Sequence, residues 1–415
     1  MVEFDKQYQG LNIPGVEFDY RENLKHIAAG DSLNKQAAFF ADIKKQLSAI
    51  NRTKLNAPNK VNYDQIAYEC SINAERTGLE KSFVSDPLHA IPANGLSSLD
   101  KGWYLHYIRY FTSTEITPDE LYAFGEKEVA HIHSEIHAIQ KQLGYEHDSA
   151  GFYKKLQSDD FVLTDKPEII KRYEAIKATV YKNVGHLFID TNVADVAFME
   201  WPNANKFTPP GYYSPKKDNA VGTAVFYFNF SEGRHNTRSM DWLFMHECVP
   251  GHHYQWCMRD KVTSHPAFKE QFFYPGNVEG WAAYIEYYGK EMGLYQDAWS
   301  YLGKWEWDLV RSTRILIDVG IHHKGWTKEK AIACWKQNIP GQDAIAEREV
   351  TRCTNWPAQA LSYKVGAQKI IEMRDALKQK QGKDFDIRKF HTQYLSYGNI
   401  PMELIEKDMV GNEYR

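Results

Sequence analysis

The chain has 415 residues, of which 43% are hydrophobic and 14% aromatic, a composition typical of a globular protein with a large buried core. Its 50 basic and 54 acidic residues give a net charge of -4, and no long run of lysine and arginine occurs. We therefore predict no nucleic-acid partner and no membrane-surface patch. No apolar stretch approaches the roughly 20 residues that cross a bilayer, so no transmembrane segment is predicted.

The amino-terminal residues 1–6, MVEFDK, lack the architecture of a signal peptide. As it stands, the sequence predicts a cytoplasmic protein. A periplasmic or lipid-anchored protein is the alternative if a leader has been removed. The sequence does not indicate an oligomeric state.

Helical periodicity dominates the chain, as residues 33–40, 121–129 and 370–373 illustrate. Residues 117–120, TPDE, predict a helix start, because they combine a capping threonine, a proline at the first helical position and acids in the first turn. The sequence therefore predicts a mainly α fold.

No internal repeat, low-complexity tract or flexible linker marks a domain boundary. We therefore predict a single large domain over residues 1–415. In this domain, a helical region of about residues 1–200 packs on a region of about 201–415 that carries the site.

One segment breaks the helical pattern. Residues 220–230 are rich in β-branched and aromatic types and predict a strand. The strand follows a loop rich in proline, glycine and tyrosine at residues 209–215. We expect a small β-sheet next to the helix of His246. Its edge could hold an extended peptide by main-chain hydrogen bonds, and a purely structural hairpin is an equal alternative.

The most informative segment is HECVPGHHYQ, residues 246–255. In the HExxH pattern of zinc hydrolases, two histidines four residues apart project from one helical face toward one metal ion. Here the next histidine, His252, lies two residues further along the chain than this pattern requires. In a straight helix, Pro250 would also clash with the carbonyl group of His246. The sequence predicts a bulge or bend at the Pro-Gly pair. A two-residue bulge makes His252 the second ligand, and a different bend makes it His253.

Zinc in a hydrolase has three protein ligands and one open position for water. Glu279 is the candidate third ligand, because Gly280 and the alanines that follow let its helix approach another helix closely. Glu286 lies seven residues further on, on the same helical face, and could orient a ligand histidine. A solvated helix glutamate is the alternative reading of Glu279.

The predicted metal site therefore holds Zn²⁺ on His246, His252 and Glu279. Glu247 follows the first ligand directly and is the predicted general base.

A polar stripe runs along the predicted helix over residues 309–322. At about 100° per residue, Arg311, Arg314, Asp318 and His322 fall within one narrow sector of an otherwise apolar helix. Such a stripe predicts an internal polar cleft, and a solvated face with an Arg314–Asp318 pair is the alternative.

Several motifs follow one another along the second half of the chain. They are HExxPGHxxQ at 246–255, EGWA at 279–282, DVGIH at 318–322, Gly325-Trp326, Glu349-Val350-x-Arg352 and PAQALSYKVG at 357–366. In this order they resemble the bacterial family called domain of unknown function 885, which in turn is similar to the glutamate-ligand zinc peptidases, or gluzincins. This resemblance implies a large helical fold with a central cleft, a zinc ion and cleavage of peptide or other amide bonds.

Tyr363 and Arg352 belong to the last motifs of this resemblance. A tetrahedral oxyanion needs hydrogen-bond donors besides the metal, and a tyrosine hydroxyl or a guanidinium can supply one. The alternative is a core tyrosine at Tyr363 and a structural ion pair at Arg352.

The predicted activity is zinc-dependent hydrolysis of peptide bonds by an activated water, with Glu247 as base and with His322, Tyr363 or Arg352 as donors. One alternative is a zinc hydrolase of a non-peptide amide or an acyl-amino acid. Another is a non-catalytic metal-binding relative, whose closed site would use both His252 and His253. The substrate in either hydrolase is a peptide or a small amide.

Overall fold

The structure is a computed structural model that describes residues 2–13, 15–16, 19–27, 30–85, 100–205, 208–215, 222–261 and 266–411. Over these residues the fold is mainly α, and the predicted fold class is confirmed. The α-helices in the first half of the chain are α1 (Val2–Gln9), α2 (Tyr20–Lys25), α3 (Asp31–Ser48), α4 (Ala57–Ser85), α5 (Lys101–Thr112), α6 (Pro118–Gln142), α7 (Ser149–Leu156) and α8 (Lys166–Asn183). Those in the second half are α9 (Met240–Glu247), α10 (His252–Lys261), α11 (Pro275–Ile285), α12 (Ala298–His322), α13 (Lys328–Asn338), α14 (Ala346–Asn355), α15 (Leu361–Gln381), α16 (Ile387–Ser396) and α17 (Met402–Met409).

The predicted helices are confirmed, and the start of α6 shows why a local signal sufficed. Thr117 caps this helix: its hydroxyl accepts from the Glu120 N–H at 3.3 Å. The Glu120 carboxylate accepts in return from the Thr117 N–H at 2.9 Å. Two backbone donors that the helix leaves unpaired are thereby satisfied within four residues of sequence.

The strands are short and form two small sheets. They are β1 (Val162–Leu163), β2 (Val196–Glu200), β3 (Gly211–Ser214), β4 (Ala224–Phe228) and β5 (His235–Asn236). One sheet has β4 in its centre, parallel to β2 and antiparallel to β3, and the other pairs β1 with β5. The larger sheet lies beside α9, where the ring of Phe198 is 6.1 Å from that of Phe244.

The predicted strand corresponds to β4, and residues 220 and 221 of that prediction lie outside the described residues. The prediction of a loop over residues 209–215 is wrong in part, because its centre forms the edge strand β3. Tyr212 is 48% exposed whereas Tyr213 is 6% exposed, which is the two-residue alternation of a half-buried strand. The prolines that suggested a loop lie outside this strand, as an edge strand allows.

The HECVPGHHYQ segment contains two helices rather than one bulged helix. Cys248, at φ −104° and ψ −115°, ends α9, and α10 begins four residues later. The connection includes a cis peptide bond before Pro250, whose carbonyl oxygen accepts from the Trp281 indole at 3.0 Å. A Cβ atom on Gly251 would lie 1.9 Å from the carbonyl oxygen of His246. Only glycine therefore fits this turn.

Helix α12 lies at the centre of the molecule, and nearly every residue in its second half is buried. It packs along α6, where a Cβ atom on Gly125 would be 2.9 Å from the side chain of Leu316. Each hydrophobic cluster combines residues from both sides of residue 200, so the amino-terminal and carboxy-terminal regions share their cores. None of the helices in the described part of the chain is long and apolar enough to cross a bilayer.

Helices α11 and α15 cross in close contact through glycines. A Cβ atom on Gly280 would be 2.6 Å from the Cα atom of Gly366, and one on Gly366 would be 2.1 Å from the carbonyl oxygen of Gly276. The small residues around Glu279 therefore do allow a close helix approach, as predicted. The helix approached is α15, which carries Tyr363, so this crossing fixes the spacing between Glu279 and Tyr363.

This crossing yields a stability prediction. Gly366→Ala should lower the free energy of unfolding by about 1–3 kcal/mol, because the added methyl group overlaps backbone atoms that cannot move alone. Gly78→Ala is the matched control, since Gly78 lies in α4 and a Cβ atom added there would have nothing within 4 Å. It should raise the free energy of unfolding by up to about 1 kcal/mol. Urea unfolding followed by circular dichroism measures both, and equal midpoints for the two variants would contradict the tight crossing.

Candidate metal centre and its cleft

Three side chains from three helices converge on one point. His246 near the end of α9, His252 at the start of α10 and Glu279 on α11 each place one ligand atom within 4.8 Å of the others. Glu279 Oε2 is 3.6 Å from His246 Nε2 and 3.4 Å from His252 Nε2. Ligand atoms of a tetrahedral zinc centre, with bonds of about 2.0–2.1 Å, are about 3.4 Å apart. The donor set therefore fits a zinc ion and leaves one of four positions for water or substrate.

His253, the alternative second ligand, points away from this cluster. Its Nε2 atom is 2.8 Å from the carbonyl oxygen of Ala194, and its Nδ1 atom is 3.0 Å from the hydroxyl of Tyr213. Burial lowers the pKa of His253. Because both ring nitrogens face protein groups, the geometry favours His252 as the ligand. It also removes His253 from the closed four-ligand site of the non-catalytic alternative.

His246 is supported by a buried chain of charged groups. Its Nδ1 atom is 2.7 Å from Glu286 Oε1, and Arg311 Nη1 donates to Glu286 Oε2 at 2.7 Å. Glu286 thus lies where the sequence predicted it, behind a ligand histidine. Burial lowers the pKa of His246, but hydrogen bonds to Glu279 and Glu286 outweigh burial and raise it to about 9. The two carboxylates make this position favourable for positive charge.

Glu247 is the last residue of α9, and it is held by the edge strand rather than by the metal cluster. Its Oε2 atom accepts a hydrogen bond of 3.0 Å from the backbone N–H of Tyr213 on β3. Tyr213 is a functional residue that the sequence does not predict. The only strand signal in residues 211–214, GYYS, is the pair of tyrosines, because aromatic residues favour strands.

The three candidate ligand residues and Glu247 lie in one cleft of about 820 Å³. The edge strand β3 contributes to one wall, and α12 and α14 contribute to another. The cleft is lined further by Trp201, Pro209, Pro210, Gly211, Tyr212, Tyr213, Pro215, Trp242, Leu243, Trp256, Phe273, Val278, Trp307, Arg311, Arg314, Arg348, Glu349, Arg352, Trp356, Gln359 and Tyr363.

Tyr363 and Arg352, two of the predicted donors, lie in this cleft. The Tyr363 ring is 6.3 Å from the His246 ring. Its hydroxyl oxygen accepts from Arg352 Nη2 and Gln359 Nε2, both at 3.4 Å, so its own proton can still be donated. Burial, assisted by the charge of Glu279, raises the pKa of Tyr363 and keeps the hydroxyl protonated. A protonated hydroxyl beside the ligands can donate to a developing oxyanion.

The structure does not bring His322 to the site, and its predicted role as a donor is corrected. Its Nε2 atom is 2.8 Å from the carbonyl oxygen of Cys353, and its ring lies 5.2 Å from that of Tyr104. Burial lowers the pKa of His322 to about 4. His322 is eleven residues beyond Arg311, about 16 Å along the helix axis, so it lies past the end of the cleft.

The polar stripe on α12 is therefore divided. Arg311 and Arg314 line the cleft, as predicted. Asp318 instead accepts from the Tyr104 hydroxyl at 2.8 Å, inside the core. The alternative Arg314–Asp318 pair does not form, because Arg314 pairs with Glu349 at 2.6 Å.

The fold and the cleft define a mainly helical protein with a candidate metal centre of two histidines and one glutamate. The family model described as "Bacterial protein of unknown function (DUF885)" matches residues 97–409, and the chain belongs to this family, which confirms the predicted membership. A search of curated proteins gave no match.

Two solved structures share the fold. A putative lipoprotein from Colwellia psychrerythraea superposes with a TM-score of 0.71 at 23% identity, covering 94% of this chain and 68% of that chain. A putative lipoprotein of unknown function from Shewanella oneidensis has a TM-score of 0.63 at 22% identity, covering 92% of this chain and 72% of the other. The compartment of the present protein stays a prediction.

The opposite orientations of two adjacent histidines give a direct test of the metal site. We expect His252→Ala to lose stoichiometric zinc, because it removes one of three ligands. His253→Ala should keep it, because His253 faces Ala194 and Tyr213. Elemental analysis after zinc loading and gel filtration measures both. Equal zinc content in the two variants would rule out the proposed ligand set.

Proposed function

We propose that this protein is a zinc-dependent hydrolase of peptide or other amide bonds. The observation that carries the proposal is the position of Glu247. Its carboxylate faces the same cleft as the three ligand side chains, yet it is not one of them. The Tyr213 N–H holds it there. A purely structural metal site needs no such carboxylate.

His246, His252 and Glu279 would hold the zinc ion. Bound there, zinc would lower the pKa of a water molecule toward neutrality and polarise the carbonyl group of the substrate. Glu247 accepts the proton of the attacking water and then delivers it to the leaving nitrogen as the C–N bond breaks. The products are a carboxylate and an amine.

The remaining groups of the cleft position these reactants. The hydroxyl proton of Tyr363 is available to the oxyanion that forms on the substrate carbonyl. The Arg311–Glu286 pair fixes the imidazole ring of His246 through its Nδ1 atom. Each catalytic group is thus held by another element of the fold, so little reorganisation is needed during the reaction.

The edge strand supports a peptide as the substrate. Strand β3 is at the edge of its sheet and lines the cleft beside Glu247. Glu247 takes the Tyr213 N–H of this edge, and an extended peptide would pair with the remaining main-chain groups. A cleft of about 820 Å³ has room for several residues.

The non-catalytic alternative requires a fourth protein ligand. In the part of the chain that the structure describes, no further histidine, cysteine, aspartate or glutamate joins His246, His252 and Glu279. A hydrolase of a small amide or an acyl-amino acid would keep the same catalytic groups and would differ only in the groups that bind the rest of the substrate.

The proposal predicts a separation between metal binding and activity. Glu247→Gln should keep one zinc ion per chain and lose hydrolysis by about 100- to 10,000-fold, because the amide cannot accept the proton of water. A peptide-library digest read by mass spectrometry, with the variant as the blank, measures the activity. Full activity in a zinc-loaded Glu247→Gln variant would refute the mechanism, whereas loss of zinc would place Glu247 among the ligands.

A further inference from the structure

Four arginine side chains line the cleft, namely Arg311, Arg314, Arg348 and Arg352. Arg311 pairs with the buried carboxylate of Glu286 at 2.7 Å. Arg314 and Arg348 share a second buried carboxylate, that of Glu349, each at 2.6 Å. Two guanidinium groups thus share one counter-charge.

Arg352 has no carboxylate partner among the described residues. Its Nη2 atom donates to the side-chain oxygen of Gln359 at 2.7 Å and to the hydroxyl of Tyr363 at 3.4 Å, and both of these groups are neutral. Its Nε atom is buried and has no partner. The guanidinium lies 5.7 Å from the ring of Trp356. A guanidinium has five N–H donors, and the two on Nη1 remain for a ligand.

The formal charges of the cleft balance until a metal ion binds. Against its four arginines stand the three glutamates of the lining, Glu247, Glu279 and Glu349, and the carboxylate of Glu286 behind Arg311. A divalent ion at the ligand cluster would give the cleft a net positive charge. Because a cleft with low-dielectric walls concentrates its field, it attracts anionic substrates. Because Glu349 is already paired with Arg314 and Arg348, an anion placed next to Arg352 gains a charge-assisted contact of its own.

Tyr363 connects Arg352 to the reacting centre. Its ring is 6.3 Å from that of His246, and its hydroxyl receives the Arg352 N–H. Since one residue of extended peptide spans about 3.3–3.6 Å, a group within a residue or two of the scissile bond can reach the guanidinium. The free N–H groups of Nη1 can form charge-assisted hydrogen bonds with a carboxylate, which suits this role.

We propose that Arg352 binds a carboxylate of the substrate and so makes the protein a hydrolase of peptides or acyl-amino acids with a free carboxylate close to the scissile bond. This inference rests on the hydrolase function proposed above. The carboxylate is either the C-terminus of the substrate or an acidic side chain. Arg352 is then a specificity-determining residue, and the side chain of Tyr363 lies between it and the candidate metal ligands.

Three matched libraries of N-acetylated short peptides test the inference. The first has free C-terminal carboxylates, the second the same sequences as C-terminal amides, and the third amides that carry one glutamate. Mass spectrometry gives relative kcat/KM values for the zinc-loaded protein. Calorimetric titration of zinc-loaded Glu247→Gln with one acid and amide pair from the libraries measures binding without turnover.

We expect the free acids to be cleaved and bound about 10- to 100-fold better than the amides, and Arg352→Gln to abolish this preference. Preference for the third library over the second, also lost in Arg352→Gln, would identify a side-chain carboxylate as the source. Arg348→Gln is the matched control, because it removes an equal charge from the same cleft but one already paired with Glu349. It should leave the acid-to-amide ratio largely unchanged, and Arg352→Lys should restore part of the preference.

The two proposals fail in different ways. Equal cleavage of acids and amides, or an acid preference that survives in Arg352→Gln, would overturn the carboxylate site and leave the hydrolase standing. No cleavage of any library would overturn both. The zinc content and the unfolding midpoint of Arg352→Gln are measured as controls. If both equal those of the unchanged protein, the lost preference is due to the missing guanidinium.

Discussion

The backbone turn between α9 and α10 is the constraint on which the candidate metal centre depends. Gly251 allows the chain to pass so close to the His246 carbonyl group that no side chain fits there. The new helix then begins at His252, with its imidazole directed at Glu279. The Nδ1 atom of His252 has no hydrogen-bond partner among the described residues. Since no side chain orients this ring through Nδ1, the turn itself sets its direction.

The buried charges around His246 orient a side chain, whereas the hydrophobic core stabilises the fold. Moving Arg311 and Glu286 out of water is costly, and their attraction does little more than offset that cost. Such a pair is therefore a weak source of stability, but it holds the His246 ring in one orientation. The stability of the region comes instead from packing, such as the contact between Gly280 and Gly366. Close packing thus positions the helices of the site, and buried charge orients the His246 ring within it.

The sequence predicted what depends on local spacing. The cap of α6 and the candidate ligands His246 and His252 lie among residues only a few positions apart, although spacing alone left His253 as an alternative to His252. His322 shows the limit of this reasoning. Helical periodicity gives the direction in which a side chain points, but not which element lies opposite at each level of the axis. Contacts that join distant segments, such as the Tyr213 N–H on Glu247, leave no periodic signal at all.

The two walls of the cleft differ in chemistry, and this difference gives a substrate a direction. Arginines from α12 and α14 make one wall cationic. The other wall is apolar and includes Trp256, Val278 and Phe273. These three residues also line an adjoining cavity of about 250 Å³, so the apolar surface continues beyond the cleft. An anionic group is favoured at the first wall, and apolar side chains are favoured along the second. Under the proposed function, a substrate with both features would lie in one orientation across the ligand cluster.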